Sequence, residues 1–130
     1  MNTSVSYPIS KDTPVSHLPF SPAVRVGDLI FVSGQASVDA SGKIIPDTFE
    51  GEFRRSIENL RKVLETAGSD LQHVIQTRNY VRDAANVGRY NELYRECFSP
   101  PYPTRTTITN CLPPTLHYEV ECVAVAKKKD

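Results

Sequence analysis

Apolar residues recur at steps of three or four along one stretch of the chain: Phe49, Phe53, Ile57, Leu60, Leu64 and Ala67. Glu52, Arg54, Arg55, Glu58, Arg61, Lys62 and Glu65 fill the other positions, the pattern of an amphipathic helix with one face on a core. Pro46-Asp47-Thr48 supplies its start and Gly68 a terminus able to take φ > 0, while Glu58 and Lys62 make a favourable i,i+4 pair. A solvated face accounts for every one of these charges, so no chemistry is assigned to this helix. A second stripe, Val87, Tyr90, Leu93 or Tyr94, and Cys97-Phe98, follows an opening at Arg82 to Asn86 and predicts a shorter helix that also lies on a sheet. Asn91 falls beside that stripe, where exposed residues outnumber ligands.

Strands alternate with these helices. Ala23 to Val26 and Leu29 to Ser33 flank Gly27-Asp28, a two-residue connection suited to a hairpin of the II′ kind. Ser33-Gly34-Gln35 is expected to end the second strand, although a Gly there also suits a bulge or a close approach to the backbone. A polar turn, Asp39 to Lys43, interrupts Val38 to Ile45. Val74 to Val81 alternates with Ile75, Thr77, Asn79 and Val81 on one side. Two further β-branched runs, Thr104 to Thr109 and His117 to Val125, are separated by a turn at Leu112-Pro113-Pro114-Thr115. Residues 1–18 form an extended, proline-punctuated arm with room for a short edge strand. The sum is one α+β domain over residues 1–130, a mixed six-stranded sheet with two helices on one face. Val24, Phe31 and Val123 on the other face would be exposed in a monomer, so self-association is expected.

Composition narrows the class. With 130 residues, 39% hydrophobic and 23% charged, the chain can build one core. A formal net charge of zero gives no global field for phosphate backbones, and Lys127-Lys128-Lys129 is a short solubilising tail. Cys97, Cys111 and Cys122 form no disulfide framework, and His17, His73 and His117 lack metal-ligand spacing, so no metal site is expected. With no apolar run long enough to span a bilayer and no signal core in the first residues, the expected location is cytoplasmic.

Arg105 opens a β-branched strand just after Pro103. An arginine there faces either a carboxylate of its own chain or a ligand. Glu119 and Glu121, alternating on the expected partner strand, could supply the first. The prolines of Ser99-Pro100-Pro101-Tyr102-Pro103 deliver Arg105 rigidly, which suits an aimed side chain.

Taken together, several stretches resemble the RidA/YjgF family of small imine and enamine deaminases. They are Pro19-Phe20-Ser21-Pro22-Ala23-Val24, Val26 through Gln35, Ile57-Glu58-Asn59-Leu60 through Ala67-Gly68, Tyr90-Asn91-Glu92-Leu93-Tyr94, Pro103-Thr104-Arg105-Thr106-Thr107 and Tyr118 through Ala124. Their shared order over residues 19–126 carries the likeness. The resemblance implies a chorismate-mutase-like subunit in a homotrimer with ligand sites between subunits. It implies hydrolysis of 2-imino or 2-aminoacrylate intermediates to 2-oxo acids and ammonia. Arg105 would grip the substrate carboxylate and Glu119 would manage water and protons. Phe20, Ser33, Gly34, Asn91 and Thr107 would line the pocket. No cofactor is implied, because a protonated imine is already electrophilic. The family commonly has Tyr where Phe20 stands, which bears on substrate preference; it often has Cys at Thr107, so a thiol-modification function proposed on that residue does not carry over, although a backbone contact does. Glu121, two residues from Glu119, could share its role. The alternatives are a trimeric carboxylate-binding protein without turnover and an endoribonuclease, the latter poorly supported by a neutral chain.

Overall fold

The computed structural model of the chain describes residues 4–128; Met1 to Thr3 of the expected arm and Lys129 of the basic tail lie outside them. Six strands, β1 (Val5–Ser6), β2 (Ala23–Val26), β3 (Leu29–Ala36), β4 (Val74–Val81), β5 (Thr104–Thr109) and β6 (Tyr118–Val125), form one sheet in the order β1-β2-β3-β6-β4-β5. Only β4 and β5 run parallel. Helices α1 (Phe49–Thr66) and α2 (Val87–Cys97) cover one face. The expected α+β architecture is thus present.

Local chemistry explains the elements. Thr48 caps α1 by accepting from the Gly51 N–H at 3.1 Å, and Gly68 leaves the helix at φ 92°. The predicted stripe of α1 is wholly buried. Phe53 packs on Tyr118 with centroids 4.7 Å apart, and Tyr94 on Phe98 at 4.5 Å. Such pairs contribute about 0.5–1.5 kcal/mol each beyond the area they bury. A buried chain of hydrogen bonds crosses this core. The Tyr118 hydroxyl donates to Asn79 Oδ1 (2.6 Å), Asn79 Nδ2 donates to Thr77 Oγ1 (3.0 Å), and Thr77 Oγ1 lies 2.8 Å from the Tyr94 hydroxyl. It fixes β4 and β6 against α2 with every member satisfied.

Three expectations are corrected, at β3, at Ile75 and at Glu52. Strand β3 does not end at Ser33-Gly34-Gln35; it runs on to Ala36 through a bulge between Val32 and Gln35, the other use a glycine there suited. Ile75 does not share a face with Thr77, Asn79 and Val81; a register shift between Val74 and Gln76 turns it outward. Glu58 feels the Lys62 charge, as expected, and pairs directly with Arg61, which also holds Glu65 at 2.7 Å. Glu52 is not on the solvated face, being only 1% exposed. Its carboxylate lies 2.6 Å from His117 Nδ1 and accepts the His117 N–H at 2.8 Å and the Asp47 N–H at 3.3 Å, tying the start of α1 to the approach to β6.

Candidate active site

Arg105 sits on the edge strand β5, and its side chain lies on the helix-covered face. Its guanidinium carbon is 4.9 Å from the Tyr90 ring centroid and 5.0 Å from that of Tyr94. The interstrand ion pair considered from the sequence does not form: β4 lies between β5 and β6, so Glu119 and Glu121 are not on a neighbouring strand. Among the described residues Arg105 makes no ion pair with a carboxylate. Two aromatic faces hold the cation instead, which orients the fork without neutralising it. Burial pushes the Tyr90 phenol up to about 12, so the shelf stays uncharged at neutral pH. The Tyr90 hydroxyl lies 2.9 Å from Thr107 Oγ1, which gives Thr107 a structural task beneath Arg105. A cleft of about 230 Å³ opens beside the guanidinium, lined by Asn91, Tyr94, Arg95, Tyr102, Pro103 and Arg105.

Glu119 lies elsewhere. Along β6 Tyr118, Val120, Cys122 and Ala124 are buried against the helices, so the alternation puts Glu119 and Glu121 on the opposite face. Glu119 reaches a cleft of about 310 Å³ bounded by Gly34, Phe20, Leu116 and the arm residues Pro14, Val15 and Leu18. A side chain at Gly34 would collide with the Glu119 carboxylate, so the bulge and its glycine make room for that group. Burial, and then the Glu121 charge, push the Glu119 carboxyl above the ordinary carboxylate value. Glu121 is held 2.5 Å from the donating Tyr80 hydroxyl, while among the described residues Glu119 receives no such donor. Ser33 spends its hydroxyl on the Ser21 carbonyl at 2.6 Å, and its N–H donates to the Pro22 carbonyl at 2.9 Å. It therefore anchors the segment that carries Phe20, itself 50% exposed at the cleft.

The predicted residues thus fall into two half-sites on opposite sides of the sheet. Arg105, Asn91 and Thr107 gather on the helix side; Glu119, Gly34 and Phe20 gather on the other, with Ser33 behind them. Tyr90, Tyr94, Arg95 and Tyr102 were not singled out from the sequence. The two helical tyrosines satisfy the buried stripe completely, which hides their second use. The i,i+4 spacing of Asn91 and Arg95 was the one available sign. Among the described residues no group of three or more His, Cys, Asp or Glu is placed to hold a metal ion, and no helix is long and apolar enough to cross a membrane.

The family described as Endoribonuclease L-PSP matches residues 10–126. The protein mmf2, mitochondrial, of Schizosaccharomyces pombe is 37% identical over 110 residues, 82% of this chain and 86% of that one. The mouse 2-iminobutanoate/2-iminopropanoate deaminase is 33% identical over 109 residues, covering 82% of this chain and 81% of its own. Among solved structures, Escherichia coli TdcF with bound serine superposes with a TM-score of 0.80 at 26% identity, over 94% of this chain and 99% of that one. The mitochondrial name of the first relative means that membership alone does not imply a cytoplasmic location.

Proposed function

The chain belongs to the Endoribonuclease L-PSP family, the YjgF/RidA group, and from that premise we propose that it hydrolyses reactive 2-imino acids, and the 2-aminoacrylate-type enamines that tautomerise to them, to 2-oxo acids and ammonia. The observation that carries the reading is Arg105: a guanidinium aimed by a proline-rich lead-in, held on two aromatic rings, and paired with no carboxylate among the described residues. Such a fork suits a small carboxylate, which it can take with two parallel N–H donors.

The chemistry follows from the second half-site. The substrate carboxylate docks on Arg105 with Asn91 beside it. C2 of the protonated imine is then the electrophile. Glu119 accepts a proton from water as the water oxygen bonds to C2 and the C–N π pair moves to nitrogen. The carboxylic acid so formed returns its proton to the amine. The C–N bond then breaks, the C–O double bond forms, and the hydroxyl proton leaves with ammonia as ammonium. A carboxyl whose pKa is raised toward the working pH serves both directions of this transfer.

Arg105 and Glu119 face away from one another within one chain, so a complete site joins the Arg105 side of one subunit to the Glu119 side of a second. We assign the assembly as a homotrimer with three such sites. Leu29, Phe31, Ile75 and Ile108, exposed large apolar residues, give a contact between copies something to bury. The test is to generate 2-aminoacrylate with a serine dehydratase and follow 2-oxo acid release. Arg105→Ala should abolish the acceleration while leaving the oligomer mass intact, and retained acceleration would end the proposal.

A further inference from the structure

Two of the six residues lining the helix-side cleft are arginines, Arg95 and Arg105, and no carboxylate lines it. Elsewhere Arg25, Arg54, Arg55, Arg61, Arg82 and Arg89 all pair with acidic side chains. Among the described residues Arg95 and Arg105 do not, and Arg78, the remaining one, is on the opposite sheet face beside Glu121. Arg95 is not short of candidates. Glu92 and Glu96 flank it at three residues before and one after, yet Glu92 turns to Arg89 at 3.8 Å and Glu96 to Arg54 at 3.5 Å. The acidic side chains of α2 thus serve a network between the two helices and leave Arg95 to the cleft. Asn91 and Arg95, four residues apart, lie on one face of α2 and so look into the same space. Two uncompensated guanidiniums around about 230 Å³ repel each other until anionic groups come between them.

We propose that the preferred substrate is a 2-imino acid whose side chain ends in a second carboxylate, with Arg105 taking the carboxylate next to the imine and Arg95 the distal one. This rests on the deaminase reading and adds to it the class of side chain. Hydrolysis consumes one water and releases ammonia and a 2-oxo diacid. The reaction that supplies such a substrate must oxidise, or eliminate from, an amino dicarboxylic acid.

Two measurements separate this inference from the reading beneath it. The first is calorimetric binding of the stable products oxaloacetate and 2-oxobutanoate, which needs no turnover. The wild-type protein should bind oxaloacetate at least tenfold more tightly, and Arg95→Ala should collapse that ratio toward one, with Arg95→Lys restoring part of it. Equal binding by the wild type, or a ratio unchanged in Arg95→Ala, overturns the inference. The second compares kcat/KM for 2-iminosuccinate, made by an aspartate oxidase, with that for 2-iminobutanoate. The same ratio should fall at least tenfold in Arg95→Ala. Acceleration of 2-iminobutanoate hydrolysis with no Arg95-dependent preference overturns the inference alone; absence of acceleration for both imines overturns the deaminase reading, and the binding ratio still decides the role of Arg95. Arg95 is solvent-exposed on the last turn of α2, so its replacement leaves the core intact, which a thermal melt verifies.

Discussion

Replacing Gly34 by Ala separates the catalytic geometry from the fold. An ideal Cβ at Gly34 would sit 3.0 Å from Glu119 Cδ and overlap Oε2, where ordinary contact is 3.4–4 Å. The carboxyl carbon must therefore retreat by about 0.4–1 Å and its oxygen farther, a displacement of the size that costs about 10²-fold in rate when a reacting group is misplaced. The fold should scarcely notice. Gly34 does not occupy the left-handed region, so Ala meets no backbone strain, and the group that must move is the end of a flexible side chain. Gly-to-Ala changes at compatible positions stabilise by about 0.4–1 kcal/mol through the unfolded chain, which offsets the local crowding. The assay is kcat/KM on 2-iminobutanoate beside a urea denaturation curve. The expected result is a hundredfold loss of kcat/KM with unfolding free energy within about 1 kcal/mol of wild type. Full activity in Gly34→Ala would refute the reasoning, because the Glu119 carboxylate could then not be working from its observed position.

The raised Glu119 pKa makes two predictions. Activity should fall on acidification through an apparent pKa above 4.5, and Glu121→Gln, by removing the like charge, should move that limb to lower pH in a pH–rate profile. A folded-state pKa above the unfolded one contributes stability that is present below the unfolded value and lost as pH rises through the folded value. Glu119→Gln should therefore raise the melting temperature at pH 7, with the gain shrinking toward pH 4, while abolishing turnover. Glu52→Ala removes the acceptor of the His117 N–H, the His117 ring and the Asp47 N–H, and should cost roughly 2–4 kcal/mol in urea denaturation.

Periodicity made the helices legible, since one face of α1 carries the core and the other the charges. The strand boundaries were legible where β-branched residues and prolines mark them. Bulges leave no trace in the apolar pattern, which is why Ile75 was placed on the wrong face; at Gly34 the glycine itself was the sign, since it suited both the bulge and the close approach found there. Glu52 misled because its charge placed it with the solvated face, although it stands three residues after Phe49 and four before Ser56 on the buried side of α1, where His117 gives the carboxylate its partner. Arg105 and Glu119 stood out through resemblance to a family. That they lie on opposite faces of the sheet depends on strand order, with β4 between β5 and β6, which no local pattern encodes.

The central claim is that one subunit supplies the carboxylate grip and another the proton-transfer group. It is tested by mixing two inactive variants, Arg105→Ala and Glu119→Gln, unfolding and refolding them together in equal amounts, and measuring imine hydrolysis. Random reassembly should give about a quarter of sites an intact arginine facing an intact glutamate, and hence about a quarter of wild-type activity. A mixture as inactive as either variant alone would contradict the account, because both groups would then have to act from the same chain.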